Sequence, residues 1–262
     1  MSRPFNDTDN LTGLVQKYEE EIGAPYGYVS GDTTRLKAFA SATRSTWDRY
    51  LTIAFKASGK WQYDDTNHVD GSGNYTYPVI RTNLADGQRD YTFTTDEGGA
   101  LVLDVLKVAI LPSATATEYE EIYPVDAQSE SDAQDILAES TNEGTPVRYD
   151  KMANGIFLDP IPSYNATNGL KVYINREPSY FTYQDTTKRP GCPGNHHDYF
   201  FLRPALEYAR INNLPNYDRL LLEVRKFEGD ETQGLVGTIE RDFSRRAKDD
   251  RNIMKPKRTL YI

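Results

Sequence analysis

The sequence predicts an α+β protein in which N- and C-terminal helices form a helical bundle and an antiparallel β-sandwich or barrel domain is inserted between them. Apolar residues recur at a helical period near both ends of the chain, whereas residues 60–176 form short alternating runs separated by turn residues. The helical period returns after a Pro- and Gly-rich loop at 177–197. We therefore assign residues 1–59 and 198–245 to a helical bundle domain, 60–197 to a β domain and 246–262 to a C-terminal arm.

Two helices are predicted before residue 60. The first covers 9–22, with Asp9 or Asn10 as its cap. The second covers 33–58, begins after the N-cap Asp32 and stops at Ser58-Gly59. Its apolar stripe keeps a 3.6-residue period and consists of Leu36, Phe39, Ala40, Thr43, Trp47, Tyr50, Leu51 and Ala54.

Eight short strands are predicted between the terminal helices. Asn-Gly pairs at 154–155 and 168–169 mark tight turns, as does Asp86-Gly87. A helix over 129–140, capped by Ser129, interrupts the strands. Strands at this spacing are typical of an antiparallel sandwich or an open barrel. The candidate strands cover 60–64, 77–82, 90–95, 101–111, 117–123, 146–150, 155–159 and 169–176.

Helices return at Asp198. The first runs to a turn at 214–216, and Pro204 either starts or kinks it. The second covers 218–245 but contains three glycines, each of which costs about 1 kcal/mol relative to Ala in a helix. We expect these glycines, which are Gly229, Gly234 and Gly237, to let a continuous helix bend.

Charge is distributed unevenly along the chain. The net charge is −9, but residues 241–262 contain eight Lys or Arg against three Asp, so this tail carries +5 and the remainder −14. A basic tail on an acidic body indicates a segment that docks on an acidic partner, and a solvated, disordered end is the alternative. Docking is favoured because the tail ends on Leu260, Tyr261 and Ile262, whereas disordered segments are poor in large apolar residues.

Little in the sequence indicates catalysis. Motifs for a nucleophile elbow, a P-loop and dinucleotide binding are absent, and the acidic residues are too scattered to identify a carboxylate pair. His196 and His197 near Cys192 form a metal-like cluster, but adjacent His side chains point apart and no second ligand pair follows. We expect no enzymatic activity, metal or cofactor. We expect instead a capped loop whose substitution leaves stability nearly unchanged.

Other broad classes are also disfavoured. Cys192 is the single cysteine, which excludes an intrachain disulfide, and no apolar stretch approaches the roughly 20 residues of a membrane span. The acidic body makes tight DNA binding improbable on electrostatic grounds. Trp61 and Tyr63 could stack on a sugar, but core packing or subunit contact is the favoured interpretation.

Seven segments occur in a recognisable order over residues 33–245. They are the helix end 54–59 (AFKASG), 61–65 (WQYDD), a strand with Pro78, 83–93 (NLADGQRDYTF), Gly144-x-Pro146-x-x-Tyr149, Leu158-x-Pro160-x-Pro162, and a helix opened by His197. In this order they resemble the head-to-tail adaptor (connector) proteins of tailed bacteriophages, including the tail tubular protein A type.

The resemblance implies a structural virion protein. Such proteins form a ring, usually of twelve copies, under the portal of the phage head. The helical bundle faces the portal, and the β domain faces the downstream tail, stopper or nozzle protein. Packaged DNA passes through the lumen without specific binding, which suits an acidic body. The expected locations are the head–tail interface of the virion and, during assembly, the host cytoplasm, with no membrane partner.

The resemblance also implies that the terminal arm climbs onto the portal. Another phage tail part, such as a tail terminator, and a carbohydrate-binding β-sandwich module are the alternative functions. The expected portal-binding residues are the basic and apolar side chains of the arm: Arg245, Arg246, Arg251, Lys255, Lys257, Arg258, Leu260, Tyr261 and Ile262.

Overall fold

The computed structural model describes residues 2–61, 67–125, 142–152 and 155–251 of a mixed α+β chain, as the sequence predicts. The chain divides into a helical unit, Met1–Asp64 with Ser179–Ile262, and a β unit, Asp65–Pro178. The second boundary lies earlier than the expected residue 197. The reason is that the loop after Pro178 contributes to the helical core, where the ring of Phe181 stacks on that of Phe5 at 4.7 Å.

Helix α1 (Leu14–Glu21) is shorter than the predicted 9–22. The Asp7 carboxylate accepts hydrogen bonds from the Asn10 N–H at 3.0 Å and the Thr12 hydroxyl at 2.5 Å. Leu11 has a left-handed φ of 56°. Residues 7–12 therefore form a turn closed by a side chain, and the predicted caps Asp9 and Asn10 are wrong.

Helix α2 (Thr33–Ser58) has the predicted bounds. The Asp32 carboxylate accepts from the N–H groups of Thr34 and Arg35 at 2.8 and 3.0 Å, which confirms it as the N-cap. Gly59 ends the helix at a φ of 67°, a conformation that glycine adopts without a Cβ penalty. The predicted apolar stripe is buried, and Trp47 has no exposed surface.

The predicted continuous helix over 218–245 is wrong. After α3 (Tyr199–Asn212), which contains Pro204 in its interior, the chain forms α4 (Tyr217–Glu228) and α5 (Thr238–Arg251). A short hairpin of Gly229–Asp230 paired with Leu235–Val236 separates α4 from α5. Gly229 has a φ of +87° and a Cβ there would lie 2.5 Å from the Leu235 carbonyl oxygen, so this glycine closes a hairpin instead of bending a helix.

Aromatic side chains dominate the core of the helical unit. Trp47 contacts Phe200 at a ring distance of 4.6 Å and Trp61 at 5.7 Å. Trp61 is fully buried and lies outside any strand, so its part of the predicted strand 60–64 is wrong and its ring cannot stack on a sugar. Tyr63 lies outside the described residues.

A largely buried carboxylate connects three helices of this unit. Glu228, at the end of α4, accepts hydrogen bonds from Arg203 and Tyr199 of α3, both at 2.8 Å. Its second oxygen accepts from Arg49 of α2 at 3.1 Å. This network fixes the residue that precedes the hairpin. None of the described helices is both long and apolar enough to cross a membrane.

The β unit is built on one large curled sheet with the shape of a half-barrel. Seven of the nine strands described in this unit form it, and the other two pair with each other. The seven strands of the large sheet match the seven candidates between residues 77 and 176. The predicted helix over 129–140 lies outside the described residues. The strands are β1 (Val79–Leu84), β2 (Asp90–Thr92), β3 (Val102–Ile110), β4 (Glu120–Val125), β5 (Glu143–Gly144), β6 (Arg148–Met152), β7 (Gly155–Asp159), β8 (Ile161–Pro162) and β9 (Ala166–Arg176). Their order in the large sheet is β1-β9-β3-β4-β6-β7-β2, and β5 pairs with β8.

The expectation of a wholly antiparallel β domain is wrong at two places. β4 and β6 are parallel, with Tyr123 opposite Arg148, and so are the short strands β5 and β8. Parallel neighbours need a long crossover connection, and the chain between Val125 and Arg148 is long enough to provide one. Periodicity identifies strands but carries no information about their direction in the sheet.

Candidate functional site

Helix α5 carries the beginning of the predicted portal-binding residues. It continues to Arg251, so the first six residues of the expected arm, 246–251, belong to the helix. Ile239 and Phe243 point into the helical core, while Arg245 and Arg246 are exposed on the same helix. Arg251 is the last residue of the helix. The other predicted residues, Lys255, Lys257, Arg258, Leu260, Tyr261 and Ile262, lie outside the described part of the chain.

Helix α5 is tied to the core through Asp242. One oxygen of this carboxylate lies 3.0 Å from Nε2 of His196 and accepts from the Asn195 amide at 3.0 Å. On the other side of the same imidazole, the Tyr50 hydroxyl lies 2.9 Å from Nδ1. Tyr50 also contacts the ring of Phe243 edge-on at 5.8 Å. The segment that leads into the arm is therefore connected to α2.

His197 is held by a second set of contacts. Its Nδ1 accepts a hydrogen bond from the Arg3 N–H at 2.9 Å, and its Nε2–H donates to the Cys192 carbonyl oxygen at 3.1 Å. The Arg3 guanidinium in turn pairs with Asp198 at 2.5 Å. This histidine connects the N-terminal segment to the loop before α3.

Cys192, His196 and His197 lie in a loop before α3, as expected, but Asp198 makes no capping hydrogen bond, and the burial of the three side chains is at odds with a loop that can be substituted without effect. All three are buried, and the ring of His196, at the end of the 3₁₀ helix Gly194–His196, packs edge-on against that of Tyr50 at 5.7 Å. Among the residues that the structure describes, no group of three or more His, Cys, Asp or Glu side chains is placed to hold a metal ion. The two imidazoles bind different partners.

Burial sets the protonation of both imidazoles. It lowers the pKa of His196, and the nearby Asp242 carboxylate opposes this effect. It also lowers the pKa of His197, against the hydrogen bond to the Cys192 carbonyl. A neutral His196 accepts from the Tyr50 hydroxyl at Nδ1 and donates to Asp242 from Nε2–H. Because neither Tyr50 nor His196 has exposed surface, their hydrogen bonds connect α2 to Asp242 of α5 inside the helical unit.

Two predicted arm residues lie beside an open cleft of about 410 Å³. Arg245 and Arg246 line it together with the apolar side chains of Pro193 and Phe243. His196 and Asp242 also line it, so the cleft and the polar connection share residues. This concave surface therefore has both positive charge and apolar contact area. The sequence of the arm shows the same two features, on which its expected role in protein binding rests.

The net negative charge of the chain lies in one unit, because basic residues are scarce there. Residues 65–178 contain 19 Asp or Glu against seven Lys or Arg, which gives the β unit −12. The two segments of the helical unit contain 20 Asp or Glu against 23 Lys or Arg, which gives +3. The acidic body expected from the sequence is therefore mainly the β unit.

Sequence reasoning missed the roles of Tyr50 and Asp242 at this site. They lie 146 and 46 residues from His196, and no local pattern connects them. Comparison with known proteins gives no further guidance, because no protein-family model matches the chain and no similar protein is found among curated sequences.

Proposed function

We propose that this chain is a structural head-to-tail adaptor of a tailed bacteriophage. In this proposal its helices form a bundle into which a β-sandwich or barrel-like domain is inserted. Copies of the chain, about twelve by the resemblance, form a ring that joins the portal of the head to the tail. The ring lines the channel through which packaged DNA passes. The protein acts without a cofactor and without catalysis.

The anchored basic helix is the observation that carries this proposal. Helix α5 is fixed to the core by the Asp242–His196 contact, yet it exposes Arg245 and Arg246. The sequence beyond it adds Lys255, Lys257 and Arg258 and ends on three large apolar residues. A rigid base that leads into a basic, apolar-ended segment suits attachment to a partner with acidic and apolar surface. In the proposal that partner is the portal.

The acidic β unit supports the remainder of the proposal. A charge of −12 repels the phosphates of DNA, so a channel lined by such units lets DNA pass without specific binding. The downstream tail, stopper or nozzle protein is the proposed partner of this unit. The proposed locations are the head–tail interface of the virion and the host cytoplasm during assembly.

Electron microscopy of the purified chain mixed with the portal of its phage tests this function. A ring stacked coaxially on the portal is the expected result. The matched control carries Arg245→Glu and Arg246→Glu, which reverse exposed charge at the base of the arm. Rings that form on the portal equally well with both proteins would disprove the role of the basic helix. Absence of any complex with the parent protein would disprove the adaptor function.

A further inference from the structure

A second concave surface of the helical unit has no role in the proposed function. It is a groove of about 670 Å³ between α4, the 229–236 hairpin and the start of α5. Its lining combines apolar and charged side chains, and its principal residues are Arg219, Leu222, Lys226, Leu235, Val236 and Arg241.

Three large apolar side chains in this groove face solvent. Leu222 of α4 and Leu235 of the hairpin are each 59 % exposed, and Val236 is 61 % exposed. Single exposed apolar residues are ordinary on protein surfaces, but several that line one groove mark an interaction site. Burying such side chains against a partner is favourable by the hydrophobic effect.

Backbone contacts hold the groove in shape without a ligand. The Thr238 hydroxyl donates to the Lys226 carbonyl oxygen at 3.0 Å, which ties the start of α5 to the end of α4. At the base of the hairpin, a Cβ on Gly237 would lie 2.2 Å from the Phe227 carbonyl oxygen, so the two strands of chain approach closely. A partner therefore does not have to order this surface when it binds.

The charges around the apolar residues select the kind of partner. Four basic residues line the groove against two acidic ones, Glu223 and Asp230. Lys226 pairs with Glu223 at 2.6 Å and Arg225 with Asp230 at 3.3 Å. The Lys226–Glu223 pair is exposed on both sides; such pairs contribute little and rearrange easily, so partner carboxylates can replace or extend it. The positive excess disfavours the chain's own basic segment 252–262 as the occupant.

We propose that this groove binds an acidic amphipathic helix of a partner protein. The apolar side of that helix would cover Leu222, Leu235 and Val236, and its flanking carboxylates would pair with the arginines of the rim. A nucleic acid fits less well, because its phosphates gain nothing from the apolar floor formed by Leu222, Leu235 and Val236.

The test uses a fluorescent synthetic helical peptide with Leu at i, i+3 and i+4 positions and Glu and Ala elsewhere. Fluorescence anisotropy with the full chain is expected to show saturable binding that weakens with salt. A peptide with Lys in place of every Glu should not bind. Binding to Leu222→Ser and to Arg241→Glu should each weaken about tenfold or more, the effect of about 1.4 kcal/mol.

The control variant is Ile211→Ser, which removes a 73 % exposed apolar side chain from α3 outside the groove and should bind as the parent does. Circular dichroism shows whether each variant folds. If one groove variant does not fold, the peptide affinity of the other tests the proposal. The proposal is overturned if the Glu peptide does not bind at about 1 mM. It is equally overturned if both groove variants bind as the parent does, or if a DNA duplex binds at the groove and displaces the peptide.

Discussion

The Tyr50 hydroxyl lies 2.9 Å from Nδ1 of His196, inside the core of the helical unit. His196→Ala removes this contact and the hydrogen bond to Asp242, so Tyr50 and Asp242 each lose their bond to the imidazole. We expect the free energy of unfolding to fall by about 1–3 kcal/mol. Both tryptophans lie in the core of this unit, so urea unfolding followed by tryptophan fluorescence reports the change.

Asn195→Ala is the matched control, because Asn195 donates to the same Asp242 oxygen from an exposed position. It should change stability by no more than about 0.5 kcal/mol. Equal effects of the two substitutions would contradict a structural role for the buried imidazole.

Stability should also decrease as pH falls through the range in which free imidazole titrates. Burial lowers the pKa of His196 and His197, so the unfolded chain binds protons that the folded chain does not. The free energy of unfolding should therefore fall below about pH 6.5, by at most about 1.4 kcal/mol per pH unit for each histidine. Urea midpoints between about pH 7.5 and 5 measure this, above the range in which ordinary carboxylates titrate. If the free energy of unfolding of His197→Gln depends on pH as strongly as that of the parent, His197 does not contribute.

Gly237→Ala should destabilise the hairpin between α4 and α5. The added Cβ would lie 2.2 Å from the Phe227 carbonyl oxygen and 2.5 Å from the Gly229 nitrogen, so backbone has to move. Overpacking of this kind costs about 1–3 kcal/mol. In the control Gly71→Ala the Cβ meets no atom within 4 Å, and we expect a change within about 0.5 kcal/mol. Equal midpoints for the two variants would show that the hairpin adjusts freely.

The β unit contains a buried ion pair whose loss should be costly. Nη1 of Arg176 lies 2.7 Å from an Asp96 oxygen, and both side chains are shielded from solvent. Asp96→Asn leaves the guanidinium without its counter-ion, at a cost of about 3–5 kcal/mol. Glu97→Gln, which breaks the exposed pair with Arg81, should cost no more than about 1 kcal/mol. Hydrogen exchange of the β9 amides distinguishes the two variants, because protection should fall much more in Asp96→Asn than in Glu97→Gln. Similar protection in both would count against the prediction.

Truncation after Arg251 tests the arm without disturbing α5. The shortened chain should keep the parent's unfolding midpoint but no longer sediment with the portal. In the full chain, Lys255→Glu with Arg258→Glu should weaken binding and reduce its dependence on salt, because exposed charges are screened beyond roughly 8–10 Å at physiological ionic strength. Association of the truncated chain at the parent's affinity would rule out the arm as the attachment segment.

Local patterns determined much of the secondary structure. Helix α2 is bounded by Asp32 and Gly59, whose effects depend on the nearest residues in the chain. Seven strands of the β unit follow from alternation and turn residues for the same reason. The basic character of the arm and the burial of Trp47 could likewise be predicted, because composition and helical phase are properties of sequence.

Only the tertiary structure decided which distant residues meet. The sequence shows two adjacent histidines, but their burial depends on Tyr50, Asp242 and Arg3, which are far away along the chain. The parallel pairing of β4 with β6 depends on the path of the chain between them. Gly229 and Gly237 carry the same sequence signal as glycines that bend a helix, and the close approach of the backbone across the hairpin determines their role. Such contacts form because burial of apolar surface brings remote segments together, and no short stretch of sequence specifies them.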